Sequence, residues 1–245
     1  MQVRKIPSAQ HLVRFLDSDP HKIAKAIVRS AESPPHFSYA PLVTMITSAI
    51  RLGESIDSLK LSIAKSVKNE RTRHIYLDVL PCLFGYLTNR ARTYIQPFGE
   101  RLAFNAGRGL VVPVTPMCLI GTGHSLVIPH ISLWRVDVMT KPRLSLFSTI
   151  FADVLNQEPD FAEAELEFVS LSAAGPEAPR MVNVTPFRDI PLLCKSELVE
   201  LLELLHAGLD LAEKQLAANA SSSNASALRK EIRGDDSDER QGKLL

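Results

Sequence analysis

The segment "IGTGHSLVIPHISLWR", residues 120–135, concentrates the side chains best suited to chemistry. His124 and Ser125 follow a glycine turn, and His130 stands six residues after His124. A nucleophile elbow would need Gly-x-Ser-x-Gly at a strand-to-helix turn. Here the serine enters a second strand-like stretch, and no glycine stands two residues after it. A phosphate-cradling loop would open into a helix, whereas "HSLVIPHISL" alternates as a strand does. A shared metal ion would need both imidazoles to converge. On an extended chain His124, Leu126, Ile128, His130, Ser132 and Trp134 share one face, with about 20 Å between the two histidines. The segment is therefore expected to be a hairpin that carries two histidines. Trp134 and Arg135 are of the types that anchor interfaces, but core packing is the expected use of Trp134.

Other groups point to weaker chemistry. Cys82, Cys118 and Cys194 are far apart, and none forms a Cys-x-x-Cys pair, so they read as small buried hydrophobes and not as zinc ligands. Glu163, Glu165 and Glu167 alternate along a strand-like stretch, about 7 Å apart, a spacing that could hold a divalent cation. Val169 and Leu171 continue the same face, so a solvated strand end is the expected arrangement. No catalytic residue, metal site or cofactor is assigned.

Basic residues offer the remaining candidate. Lys60, Lys65, Lys68, Arg71, Arg73, Arg90 and Arg92 lie in a helical region, with His74, Tyr76 and Tyr94 nearby. Lysine and arginine meet phosphates in nucleic-acid binders. Wound on a helix, the first five spread over the polar arc, and no zinc-finger, recognition-helix or RNP-type motif accompanies them.

The elements that must hold these residues follow from periodicity. "SAQHLVRFLDS" and "DPHKIAKAIVRSAES" are spaced as helices, and Pro20 after Asp19 suits a helix start. "LVTMITSAIRLGES" is a helix ended by Gly53. "SIDSLKLSIAKSVKNERTRHIYLDVL" places Ile56, Leu59, Ile63 and Val67 on one arc and is expected to kink or end at Pro81. "CLFGYLTNRARTYIQPFGERLAF" is expected to be a further helix, interrupted near Pro97 and Gly99. From about residue 108 the pattern changes. "RGLVVPVTPMCLIG" and "HSLVIPHISLWRV" read as two strands joined by "GTG". Pro113, Pro116 and Pro129 require edges or bulges there. "LSLFSTIFADVLNQ" is a helix with Leu144, Phe147, Phe151 and Val154 on one face. "AELEFVSLSA" and "RMVNVTPFRD" are two more strands. A last helix, capped by Ser196, carries the stripe Leu198, Leu202, Leu205, Leu209, Ala212 and Leu216.

Composition bounds the whole. The chain has 245 residues, 45% apolar and 22% charged, which suffices for a substantial core. Net charge is +1, but unevenly placed: residues 1–112 hold 16 Lys/Arg against 8 Asp/Glu, and the remainder 12 against 19. Such a dipole can orient a protein on a polyanion or bring neighbouring copies together. No apolar run approaches the roughly 20 residues of a membrane span. The start lacks the apolar segment of a secretory signal, so a cytoplasmic location is expected.

Helices, a strand hairpin, a crossing helix, two further strands and a long last helix, over roughly residues 95–217, form an order that resembles the core of the PD-(D/E)xK nucleases. That resemblance implies an aspartate on one strand and Glu-x-Lys on the next, holding Mg²⁺ and positioning water. "HISLWR" stands on the strand where the acid and lysine belong, and the chain contains no Glu-x-Lys. The resemblance therefore implies a fold of that kind whose site is lost.

The sequence thus predicts an α+β (mixed α/β) fold in three parts. A basic helical region spans 1–107, an acidic α/β region with a small mixed sheet and flanking helices spans 108–217, and a disordered tail spans 218–245. The first two are expected to pack as one unit, since "AFNAGRG" is a short junction. The expected function is that of a non-catalytic intracellular binding or scaffold protein. It would contact nucleic acid or another polyanion through its basic helical half, or associate with itself. The alternative is an enzyme of unrecognised type, a hydrolase or degenerate nuclease-like fold, with a site near residues 120–135.

Overall fold

The computed structural model describes residues 7–33, 38–89, 94–100, 102–123, 125–175 and 177–235, with 222–235 as backbone only. Five helices come first: α1 (Ala9–Leu12), α2 (Pro20–Glu32), α3 (Ala40–Arg51), α4 (Ile56–Ser66) and α5 (Glu70–Thr88). Five strands follow: β1 (Tyr94–Pro97), β2 (Leu102–Asn105), β3 (Val111–Val114), β4 (Cys118–Thr122) and β5 (Ser125–Ser132). Then come α6 (Lys141–Asn156), β6 (Glu165–Ser170), β7 (Asn183–Pro186) and α7 (Lys195–Asp235). The fold is mixed α+β, as expected.

The chain divides into two compact units. Residues 1–14 and 35–198 make the first, and 15–34 and 199–245 the second. Stretches on both sides of residue 107 therefore share the first unit.

In the first unit, a five-stranded sheet runs β1-β4-β5-β6-β7, and β2 and β3 form a separate hairpin. All pairings are antiparallel except β5 with β6, which are joined through α6. A parallel pair needs such a crossover. One face of the sheet presents Ile95, Ile120, Val127, Ile131 and Val169 to a core built with α3, α4 and α5. The opposite face presents His130 and Phe168 to Phe147 of α6. Period-two alternation along β5 thus sends its even positions to α6, as the sequence requires.

The expected hairpin forms as β4–β5, with Thr122 paired to Ser125, but its first strand is shorter than the expected stretch, because Val111–Val114 pairs with β2 in a separate sheet. Gly123 takes φ +53 in the β4–β5 turn, a conformation that suits glycine. Gly121 has a different reason. It lies opposite Tyr94 of β1, and a Cβ on it would stand 2.2 Å from the Tyr94 ring. Pro129 is accommodated because β4 pairs with β5 only as far as Val127. Beyond that point β5 is paired through β6 alone, so the missing N–H opens no gap in a second ladder.

Four further expectations need correction. The helix expected across residues 55–80 is two helices, because Asn69 starts a new one by accepting a hydrogen bond from the Thr72 N–H at 2.9 Å. The second does not end at Pro81 but continues past it, with Leu80 and Leu83 buried on either side. The helix expected from residue 82 stops at Thr88, and β1 and β2 occupy its remainder. Leu102–Asn105 alternates buried and exposed, the mark of a strand. Finally, the start of α7 is capped two residues earlier than Ser196: the Glu197 carboxylate accepts the Cys194 N–H at 2.8 Å.

The second unit rests on α2 and most of α7. Asp19 caps α2 by accepting the His21 N–H, with Pro20 in the first turn. Leu202, Leu205, Leu209 and Ala212 of the predicted stripe are buried, and Ala212 packs with Ala24 and Val28. Gly208 lets the helices approach closely, since a Cβ there would lie 2.3 Å from Ile23 Cγ2. Of the stretch expected as a tail, α7 traces the backbone to Asp235, and 236–245 lie outside the described residues.

Candidate functional site

His130 on β5 is 4% exposed. Its ring lies 4.2 Å from that of Phe147, 5.7 Å from Phe151 and 5.8 Å from Phe168, between centroids. Its Nε2 has no hydrogen-bond partner among the described residues. A cavity of only about 10 Å³ reaches it, bordered by Ser8, Gln10 and Thr115 among apolar neighbours. That is room for a single water. Burial, and secondarily the charge of His11, pushes the imidazole down to about 3, so it is neutral at pH 7.

Among the described residues no carboxylate orients this ring. Asp137 folds back on its own loop, accepting the Met139 N–H at 2.9 Å, and Glu100 is exposed. The Ser125 hydroxyl is engaged with Thr122 Oγ1 at 2.7 Å, closing the hairpin. His124 lies outside the described residues. The strand itself runs unbroken from Ser125 to Ser132.

The three glutamates are not a cation site. Glu163 precedes β6, Glu165 is exposed at its start, and Glu167 is buried and accepts the Tyr86 hydroxyl at 2.9 Å. The solvated end of the strand is therefore shorter than its spacing suggests. Among the described residues no three His, Cys, Asp or Glu side chains gather to hold a metal ion. The cysteines are free, but only Cys118 is buried; Cys82 is half-buried and Cys194 exposed. The reading of all three as buried hydrophobes fails because Cys194 precedes α7 at the surface. Trp134 is half-buried, and Arg14 lies 4.5 Å above its ring.

A charged constellation that the sequence does not announce lies past the ends of β5 and β6. Arg135 donates to both carboxylate oxygens of Asp78, at 2.9 and 3.0 Å. Arg180 Nε donates to Asp78 Oδ2 at 2.7 Å, and its Nη1 donates to the carbonyls of Leu133 and Leu171. Burial opposes the charge on Asp78, but hydrogen bonds from Arg180 and Arg135 outweigh it and hold the carboxyl below its ordinary range. The donors of both arginines are committed to α5 and to strand-end carbonyls, so this cluster ties the sheet to its helices. Its only signal in the sequence is an arginine near the end of one strand-like stretch and another at the start of a second.

The predicted basic residues fall differently. Lys60 is paired with Asp57 at 2.8 Å. Lys65, Lys68, Arg71 and His74 are exposed and Arg73 half-buried, all around the three-residue connection from α4 to α5. No described residue forms an ion pair with Lys65, Lys68, Arg71 or Arg73. Arg90 and Arg92 lie outside the described residues. Tyr76 does not join this surface: it is buried, and its hydroxyl donates to the Ser38 carbonyl. The first six residues of α5 contain no buried side chain, so its N-terminal turns project beyond the core. Arg71 and Arg73 there stand at the positive end of the helix dipole, with exposed Glu70 as the one acid. A bound anion would relieve that accumulation of positive charge.

Among the described residues no helix is long and apolar enough to cross a membrane. The chain matches no family model, and no curated protein is similar to it in sequence.

Proposed function

We propose that this chain is a non-catalytic binding protein that contacts nucleic acid through the corner between α4 and α5. The observation that carries the reading is the set of four cations, Lys65, Lys68, Arg71 and Arg73, that no described acid neutralises. Two helices joined by three residues, the second leading with basic and hydroxyl side chains, can offer an N-terminal turn to a duplex groove. Phosphate contacts from lysine and arginine would supply the affinity.

The test is a salt series. A fluorescent duplex is titrated with the full chain, and log K is plotted against log salt. Four phosphate contacts predict a slope of about −3 to −4. Replacing Lys65, Lys68, Arg71 and Arg73 by glutamine should leave the circular dichroism spectrum unchanged and remove most of that slope. No binding at low salt, or an unchanged slope in the variant, would overturn the reading.

A further inference from the structure

The last strand of the sheet is open on one side. β7 pairs with β6, and among the described residues no strand lies beyond it. Edges of this kind are ordinarily blunted by charge or by an internal proline. Met181 to Thr185 carry no charge, and the one proline, Pro186, stands at the strand's end. Met181 is 54% exposed, and Val182 and Val184 are each 39% exposed. Beside this edge runs an apolar trough of about 370 Å³, bordered by Pro81, Cys82, Gly85 and Tyr86 of α5 and by Val182 and Val184. Nothing lies within 4 Å of the position a Cβ on Gly85 would take, so the floor of the trough is open.

An exposed edge next to an apolar trough suits an extended segment that adds its backbone to the ladder and sets alternate side chains in the trough. The occupant must be uncharged, extended and apolar on one face. β7 has that character itself. We propose that β7 pairs antiparallel with β7 of a second copy, about a two-fold axis through Asn183.

The register follows from side-chain parity. Directly opposed residues of an antiparallel pair point to the same face, so a symmetric pairing must turn on a residue and not between two. An axis through Asn183 sets Val182 opposite Val184 of the second copy, and Met181 opposite Thr185. Both valine pairs then lie over the trough side of the sheet. An axis through Val184 would set Val182 opposite Pro186 and give one valine pair instead of two. With the axis at Asn183, Arg180 meets Pro186, so no like charges oppose each other. The two troughs join into one apolar channel between the α5 helices of the two copies. This association rests on backbone pairing and apolar burial, and so is independent of the basic corner.

Sedimentation velocity of the full chain, from about 1 µM to about 1 mM, spans the range of weak dimers. A monomer–dimer equilibrium that persists at high salt is expected, since screening weakens charge pairing and not apolar burial. Val184→Lys should raise the dissociation constant about tenfold or more while keeping the native circular dichroism spectrum. Cross-linking fixes the register. In a Cys194→Ser background, Asn183→Cys brings two thiols onto opposed positions about 5 Å apart between Cα atoms, within disulfide reach. Thr185→Cys leaves them offset by about 13 Å along the strands. Rapid cross-linking of the Asn183→Cys variant alone is the expected result. A monomer at every concentration, or equal cross-linking of the two variants, would overturn the proposal.

Discussion

Arg135 and Arg180 on one side, and Lys65, Lys68, Arg71 and Arg73 on the other, are all basic side chains of the same unit, yet the fold engages them differently. The first pair is spent: Asp78 and the carbonyls of Leu133, Leu171 and Ala178 take up its donors. The Arg180 side chain is 4% exposed and could meet no outside ligand without unmaking those bonds. The second group has no described counter-charge and stands on turns that lie outside the core. A cation is available to a partner only when the fold has not already used its donors. Position in the fold, and not the count of basic residues, separates a clamp from a contact surface.

Breaking the clamp should give the largest effect. Asp78→Ala leaves the Arg180 guanidinium buried without its carboxylate, a loss of about 3–5 kcal/mol for a buried pair. Asp78 keeps 29% of its side-chain surface exposed, which places the expected loss near the lower figure, about 3 kcal/mol. Urea unfolding of the variant measures it. A change below about 0.5 kcal/mol, the range of ordinary surface substitutions, would mean that these arginines are not spent in the fold.

His130 carries the contrast further, as a base 4% exposed whose Nε2 has no partner among the described residues. Its folded value lies near 3 against 6.5 for the free side chain. Below pH 6.5 the unfolded chain takes up a proton that the folded chain refuses. Stability is therefore full above 6.5 and falls by about 1.4 kcal/mol per pH unit as the pH drops toward 3. At pH 5 the loss is about 2 kcal/mol. His11, lowered by burial and by Arg14, adds a contribution of the same sign. Asp78 and Glu197, whose pKa values are depressed, lose their contributions only below their ordinary values of 3.8 and 4.5, so pH 5 reports chiefly on the histidines. Urea midpoints at neutral pH and at pH 5 should differ clearly in the native chain and much less in His130→Leu. Equal shifts in both would contradict the sealed ring.

The sequence displays most of what repetition or a turn residue encodes. The stripe from Leu202 to Ala212 is buried as its 3.6-residue spacing requires, and the β4–β5 hairpin forms at Gly123. Short strands carry less signal. Tyr94–Pro97 and Leu102–Asn105 are four residues each, too brief for alternation to stand out from the preceding helix pattern. Asn69 as a cap was hidden because Val67 continues the apolar arc of α4 by spacing alone. The clamp was least legible: Asp78 lies 57 residues from Arg135 and 102 from Arg180, and only the closed sheet brings them together. The basic residues, by contrast, could be named from the sequence. Which of them already has a partner could not, since that depends on side-chain reach within the folded helices.

The finest test lies inside the basic group. Lys60 and Lys65 occupy the same helix, both exposed, but Lys60 is held by Asp57 at 2.8 Å and Lys65 by no described acid. An exposed pair of this spacing contributes only about 0.3–0.5 kcal/mol to the fold, so Lys60→Gln and Lys65→Gln should both leave stability nearly unchanged. Their effects on nucleic-acid binding should differ. Lys65→Gln removes a cation free to meet a phosphate and should reduce the magnitude of the salt slope by about 1. Lys60→Gln removes one whose charge Asp57 already offsets, and the slope should change by well under that amount. Paired salt titrations of the two variants against one duplex decide it. Equal reductions would show that the Asp57 pair opens in the complex, and that an internal counter-ion does not by itself withdraw a surface lysine from binding.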